Sequence, residues 1–523
     1  MDGKDIEGRV DRMQAQIRND FPILEQKINN NPLIYFDNGA TTQMPNCVLE
    51  CLNRHYMQDN ANVHRGIHTL SERSTCAMED ARKTVADFIG CDDPMQIIFT
   101  RGATDSLNQV AFGYAAQYMQ KGRKVIVTEF EHHSNFVPWQ QAAKRTGAEF
   151  VVIPMREDGR LDIEALEREL DESVVIVSVT AISNVTGTVL PVREIIQKAH
   201  QYNVPVCVDA SQAIRHGQMN VRELDCDFLA FSGHKTMGPA GIGVLYGKKE
   251  RLDVMEPLWY GGGMVDVVGN EDTSFTTIPY RLEAGTPNYP GAIGLGQALH
   301  YLQEIGTKEI AAWEKELTDT LEQRLSERKY VHVLGGNVEK QSVISVVVDG
   351  IHPYDMASFL NKYGIAVRSG NHCAQPMLRR LGYDSVIRFS PAFYNTKEEI
   401  ELFPYALISR NIKDMVQTRS VVHEGMNGVI NNTLHELKYK DLDSDDSESF
   451  ETSGGWLGFS DRYWFSALIL GNQDKAKVTF KNNGDYNYQA DFLGSRVILP
   501  AGGETSYSYR PVSYTHLTLP TKL

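Results

Sequence analysis

The chain has 523 residues, 42% hydrophobic and 23% charged, so most of it can bury a core and general disorder is excluded. Its formal net charge of −15 repels phosphate backbones and anionic lipid, which argues against nucleic-acid and membrane partners. At roughly 150 residues per domain, the length predicts about three to four units.

Residues 1–20 are charged throughout and read as a helical segment without an apolar signal core. No run of ~18 apolar residues is available to span a membrane. Seven cysteines without a CxxC pair make neither a disulfide framework nor a zinc site. A cytoplasmic protein with reduced thiols is expected.

From 21 to 290, short Val- and Ile-rich runs alternate with helical patterns. The runs are QIIFT (96–100), KVIVTEF (124–130), FVVIP (150–154), VVIVSVT (174–180), VPVCVDA (204–210) and DFLAFSG (227–233). Apolar on both faces, they predict a large α/β domain around a mainly parallel sheet. From 291 to 416, a long amphipathic stretch from Gly294 to about Tyr330 precedes SVISVVVDG, a helical YDMASFLNKYG, a short IAVRSG and VIRFSPAFYN. This predicts a small α+β domain. Residues 417–454 include the acidic run DLDSDDSESFE and read as a solvated linker. Residues 455–510 read as a small all-β module of short strands. The remaining 511–523 resemble translated sequencing-adapter read-through and are set aside as an artefactual or disordered tail.

Polar groups follow the carboxyl ends of five predicted strands, where ligands bind in open parallel sheets. They are Arg101-Gly102-Ala103-Thr104-Asp105, Glu131-His132-His133, Ser183-Asn184, Asp209 with Gln212, and Ser232-Gly233-His234-Lys235. Together they describe one pocket. Lys235 suits an amine that forms a Schiff base, against the commoner solvated lysine. Asp209 suits a pyridinium partner or a helix cap. Gly102-Ala103-Thr104, ahead of a helical run, suits a phosphate or simple capping. His132 suits an aromatic stack, a proton shuttle or a structural hydrogen bond. No GxGxxG follows a strand, so a nicotinamide site lacks its fingerprint.

A second centre is Arg368-Ser369-Gly370-Asn371-His372-Cys373-Ala374-Gln375-Pro376, where a cysteine on a polar loop reads as a nucleophile with Arg and His able to stabilise its thiolate. The other six cysteines fit as small buried hydrophobes. The HxxxH spacing of His64 and His68 contains Gly66 and lacks a nearby carboxylate. It therefore reads as a substrate-facing loop rather than a metal site.

The motifs YFDNGATTQMP, NVHRGIHTLS, RGATDSLN, EHHSNFVPWQ, SNVTG, VDASQA, FSGHK with GPAGIGVLYG, RLEAGTPN and RSGNHCAQP occur in order between about Phe21 and Asn395. As a set they resemble the Suf-type cysteine desulfurases and selenocysteine lyases, pyridoxal 5'-phosphate enzymes of the class V aminotransferase family and fold type I. The resemblance implies that Lys235 carries the cofactor and later serves as base at the substrate α-carbon. Asp209 would pair with the pyridine nitrogen, His132 would stack on the ring, and Asn184 and Gln212 would meet its hydroxyl side. Ala103, Thr104, Ser232, Gly233 and His234 would cradle the phosphate, with Thr286 reaching the phosphate of the other subunit of a homodimer. Arg388 would clamp the substrate carboxylate, assisted by Arg368, with Asn184 and His64 also at the substrate.

Cys373 would take sulfur from L-cysteine as a persulfide, release L-alanine and supply iron–sulfur cluster assembly. The loop bearing Cys373 is short, which implies delivery to a small sulfur-acceptor protein of the Suf system. Two departures are that Asn371 stands where the family usually has His, and that nothing in the family pattern matches the β module. Alternatives are a selenocysteine lyase, a cysteine-sulfinate desulfinase, a cysteine hydrolase using Cys373 with His372 or His132, and a catalytically dead scaffold.

Overall fold

The computed structural model describes residues 17–401 except 218, and 425–431, 433–438, 447–453, 455–461, 464–470, 476–482, 488–494 and 509–514 in the carboxyl-terminal part. The chain separates into two compact units, 1–410 and 411–523.

The first unit is built on seven strands: β1 (Ile97–Thr100), β2 (Lys124–Thr128), β3 (Glu149–Ile153), β4 (Val174–Thr180), β5 (Val206–Asp209), β6 (Phe228–Ser232) and β7 (Gly243–Gly247). Their order is β1-β7-β6-β5-β4-β2-β3. Every contact from β6 to β3 is parallel, whereas β7 runs antiparallel between β6 and β1. The six runs expected from sequence all form. The seventh strand, GVLYG, was not anticipated.

Alternate residues sort to the two faces, as the pleat requires, except in β4, where adjacent Val175 and Ile176 fall in the same cluster. Ile97, Phe99, Ile126, Val208, Leu229 and Phe231 join one buried cluster, while Ile98, Val125, Val127, Cys207 and Ala230 join the other. The first cluster is closed by α1 (Asn46–Arg54), α2 (Thr69–Ile89) and α4 (Tyr289–Ile305). The second holds Leu107 of α3 (Ala103–Asn108).

The expected continuous stretch from Gly294 to Tyr330 is two helices, α4 and α5 (Thr307–Ser326), separated by Gly306 at φ 100. Leu295, Leu299 and Leu302 of α4 lie in the large core, whereas Leu317, Leu321 and Leu325 of α5 lie in another. The boundary expected at 290 therefore falls after α4. That third core contains the small sheet β8 (Val331–Val333), β9 (Ile344–Val348), β10 (Arg368–Gly370) and β11 (Val386–Phe389), in the order β8-β9-β11-β10. Helix α6 (Pro353–Lys362) contributes Met356 and Leu360. Ile34 and Phe36 also pack there, and Ile34–Tyr35 pairs in parallel with Ile365–Ala366. The small domain thus takes one strand from the beginning of the range assigned to the large one.

Of the cysteines, Cys51, Cys91, Cys207 and Cys226 are buried as expected. Cys47 is half-buried, and Cys76 is exposed on α2, contrary to expectation.

The second unit contains β12 (Gly425–Ile430), β13 (Thr433–Lys438), β14 (Ser447–Thr452), β15 (Gly455–Asp461), β16 (Trp464–Leu470), β17 (Ala476–Asn482), β18 (Tyr488–Gly494) and β19 (Tyr509–Tyr514). They form a five-stranded sheet, β13-β12-β15-β16-β19, and a three-stranded sheet, β14-β17-β18. Met426, Ile430, Leu457, Val478 and Phe480 make its core. Three of these strands lie in the range read as a linker, so the β structure begins well before 455. The last, β19, runs into the range set aside as a tail. The expected strand SRVILP lies outside the described residues, as does part of the acidic run.

Candidate active site

β1 is antiparallel to β7, and β7 to β6, so β1 points the same way as the parallel strands. The carboxyl ends of β1, β2, β4, β5 and β6 therefore share one edge, with the strand order reversing between β4 and β2. The five polar segments meet there.

Lys235 ends the single 3-10 turn Gly233–Lys235 that follows β6. Burial lowers its pKa to about 8. The Asp209 carboxylate opposes that fall, while Arg388 and Arg215 reinforce it and Cys373 opposes it. The charges that act on Lys235 are thus those of Asp209, Arg388, Arg215 and Cys373. An amine this easily deprotonated is a competent nucleophile near neutral pH.

Asp209 is buried at the end of β5, with Oδ1 accepting the Ser211 amide at 2.9 Å. The capping reading holds to that extent, although only a 3-10 turn, Ile214–His216, follows. His132 is neutral, its pKa lowered to about 3 by burial and then by Lys235. Its Nδ1 accepts the Ser134 amide at 3.1 Å, which fixes the ring.

At the cradle, Gly102 follows β1 with φ 152, and a Cβ on Gly243 would lie 2.4 Å from its Cα, so β7 comes this close to the turn after β1 only because residue 243 is glycine. The amides of Ala103 and Gly233 are bonded within the protein. The first donates to Ser232 Oγ at 2.8 Å and the second to the Ile242 carbonyl at 2.9 Å. Both residues were expected to form the phosphate cradle, and these two bonds brace its turns. Thr104 Oγ1 pairs with Ser134 Oγ at 2.7 Å. Gly102, Thr104, Ser232 and His234 line a cavity of about 760 Å³, and burial lowers the His234 pKa to about 4.

Arg388 on β11 is buried. It donates to the Asn184 carbonyl at 3.0 Å and to Asp37 Oδ1 at 3.3 Å. Arg368 on β10 clasps the same Asp37 through Nε at 3.0 and 3.1 Å and Nη2 at 2.9 Å. Asp37 was not singled out from sequence, although it sits inside YFDNGATTQMP; it lies before the sheet, outside the strand-end pattern.

Ten buried side-chain polar atoms have no hydrogen-bond partner among the described residues, and four of them belong to residues of this site: Asn184 Oδ1, Gln212 Oε1, Arg388 Nε and His372 Nδ1. An unmade hydrogen bond at a buried atom costs about 1–3 kcal/mol. The first three belong to residues expected at a cofactor ring and a substrate carboxylate. An acceptor–donor set of this kind, with Lys235 and Asp209, fits pyridoxal phosphate.

Cys373 is exposed on the turn between β10 and the helical turn Gln375–Arg380. His372 and Cys373 have φ 50 and 55, and the Cys373 amide donates to Asn371 Oδ1 at 3.0 Å. Asn371 thus shapes the turn. His372 is buried, with Nε2 3.3 Å from the Val386 carbonyl, and burial lowers its pKa to about 2. Burial thus disfavours its imidazolium form, which weakens it as a partner for a thiolate.

Two expected residues stand apart from this cluster. His64, at φ 72, lies with Nε2 3.8 Å from Glu79 and edge-on to Tyr280. His68 caps α2 by accepting the Ser71 amide. Thr286 is exposed on the loop before α4, and none of these hydrogen bonds reaches it.

The aminotransferase class-V profile matches residues 34–403. With the pocket described above, this defines the class: the chain belongs to the class-V aminotransferase family, and pyridoxal 5'-phosphate is its cofactor. Among its relatives is the cysteine desulfurase of Dickeya dadantii, 45% identical over 394 residues that cover 75% of this chain and 94% of that one. The cysteine desulfurase from Thermococcus onnurineus NA1 has a similar structure, with a TM-score of 0.72 at 38% identity, covering 75% of this chain and 96% of that one. The cysteine desulfurase CsdA from Escherichia coli has a TM-score of 0.71 at 37% identity, covering 76% and 97% respectively. A second profile, the YidC periplasmic domain, matches residues 392–511. Among the described residues no helix is long and apolar enough to cross a membrane.

Proposed function

We propose that this chain is a cysteine desulfurase that converts L-cysteine to L-alanine, with Cys373 receiving the sulfur as a persulfide. The observation that carries the reading is the exposed Cys373 thiol on a loop bonded to Asn184. Asn184 also holds Arg388 and has a buried oxygen without a partner.

Pyridoxal phosphate, when bound, supplies the electron sink that makes the substrate Cα–H bond ionisable. Lys235, able to shed its proton near pH 8, takes the α-proton and returns it. Asp209 offers a buried negative charge to a pyridine nitrogen. Asn184 and Gln212 each present one unpartnered oxygen, and Arg388 presents an unpartnered Nε, to the cofactor and the substrate carboxylate. The Cys373 thiolate attacks the substrate sulfur. A sulfur–sulfur bond forms, the carbon–sulfur bond breaks, and its electron pair stays with carbon, which is protonated to alanine.

The finer reading is a Suf-type enzyme that works as a homodimer and hands its sulfur to a small acceptor protein for iron–sulfur cluster assembly. The short Cys373 loop supports dependence on an acceptor. Exposed Met57, Ile67, Tyr260, Val267 and Val268 offer apolar surface that a second copy would cover.

The test is Cys373→Ser. It should keep the visible cofactor band and its response to cysteine but form neither persulfide nor sulfide. Full turnover in that variant would refute the role. With cysteine alone, the unaltered enzyme should show a burst of about one alanine per site, and a Suf-type acceptor should then raise the steady rate.

A further inference from the structure

The Cys373 loop joins the small domain to the large one through three hydrogen bonds. Asn184 Nδ2 donates to the His372 carbonyl at 2.7 Å. The His133 amide donates to the Cys373 carbonyl at 2.6 Å. The Gln375 amide donates to His133 Nε2 at 3.3 Å. Two of the three belong to one residue.

His133 begins a 3-10 turn whose next residues are pinned to the core. Asn135 donates to Glu131 at 2.5 Å and accepts from Trp139 Nε1 at 2.9 Å and Ser178 Oγ at 2.6 Å. Glu131 itself is fully buried and also accepts from Thr128 Oγ1 and the Thr180 amide. The nucleophile loop is held on its own side by the Cys373 amide on Asn371 Oδ1 and by His372 Nε2 against the Val386 carbonyl. Its residues 372 and 373 both occupy the left-handed region, which costs a non-glycine residue on the order of 1–2 kcal/mol. The bonds from Asn184 and His133 add to Asn371 in holding that conformation. Burial also lowers the His133 pKa, which keeps the ring neutral and its Nε2 an acceptor.

We infer that His133 is a positioning residue that latches the Cys373 loop over the pocket through its backbone amide and its ring nitrogen. The inference rests on the reading of Cys373 as the sulfur acceptor. It gives the second histidine of EHHSN a task separate from that of His132.

The direct readout is hydrogen exchange of the holoenzyme, followed by mass spectrometry across residues 371–378. The Gln375 amide should exchange about tenfold faster in His133→Ala. His133→Gln, whose side-chain oxygen can accept the same N–H, should restore most of the protection. Both variants should keep the cofactor band and a KM for cysteine close to the parent value. Single-turnover persulfide formation should fall about tenfold in the alanine variant and recover in the glutamine variant. Unchanged exchange across 371–378 in His133→Ala would overturn the latch. So would faster exchange with undiminished persulfide formation, or a glutamine variant no better than alanine. Persulfide formation that survives Cys373→Ser would instead refute the nucleophile and leave the exchange result standing.

Discussion

Lys235 combines a buried setting with neighbours of both signs, and its behaviour with pH follows from their balance. Burial and the charges of Arg388 and Arg215 favour the neutral amine, and Asp209 favours the ammonium, with the outcome at about 8 against an ordinary 10.5. The neutral fraction therefore rises through pH 8 rather than two units higher. Capture of pyridoxal phosphate by apoprotein should accelerate between about pH 7 and 9 with a midpoint near 8, read from the growth of the visible band. Arg388→Ala removes a positive neighbour and should shift that midpoint upward. Arg388→Lys keeps the charge but loses the planar fork that reaches both Asn184 and Asp37. It should lower kcat/KM for cysteine by at least about tenfold. At this scale the sequence was informative where chemistry repeats at strand ends, and silent where backbone geometry decides. The amides of Ala103 and Gly233 are committed within the protein, and no residue pattern announces that. Asp37 and His133 were passed over because their tasks depend on partners 331 and 240 residues away, Arg368 and Cys373 respectively.

Elements buried on both faces were the most legible. Six strands of the large sheet are continuous apolar runs because helices cover them on either side. GVLYG was missed because it is short, starts and ends on glycine, and follows a glycine-rich turn that resembles a loop. It is nonetheless essential to the cradle. Gly243→Ala would force β7 from β1 at Gly102, and the expected result is a loss of about 1–3 kcal/mol in urea unfolding together with weaker cofactor retention. A variant that retains both would show that the two strands can separate without consequence. The break at Gly306 was hidden by amphipathic periodicity that continues across it, and only the division of leucines between two cores reveals it. Strands β12 to β14 were hidden by composition. SESFET places Glu448 on the same face as Phe450 and Glu451 on the opposite one, so it shows no apolar alternation, and the acidic run that it ends dominates the reading.

The profile matches divide the molecule much as its contacts do. One covers 34–403 and the other 392–511, and the compact units meet at 410. All proposed site residues precede that point. A chain stopped after Val416 should retain the cofactor band and turn over cysteine at the parent rate; loss of either would assign the β unit a part in the catalytic unit. Inside the first unit, the small domain is discontinuous, and synthesis must contend with that. Asn31 Nδ2 bonds the Lys362 carbonyl across 331 residues, beside the pairing of Ile34 with Ile365. At ~5–20 residues per second, a ribosome needs on the order of half a minute to produce the partner. Closing so long a loop costs about 5 kcal/mol of chain entropy. During that interval Ile34 and Phe36 have no core to enter, while the strands and helices of the large domain emerge between them and their destination. Birth order therefore separates the two proposed catalytic groups. The lysine can be seated in a formed sheet before the cysteine loop exists, and the nascent enzyme gains its electrophile pocket ahead of its thiol.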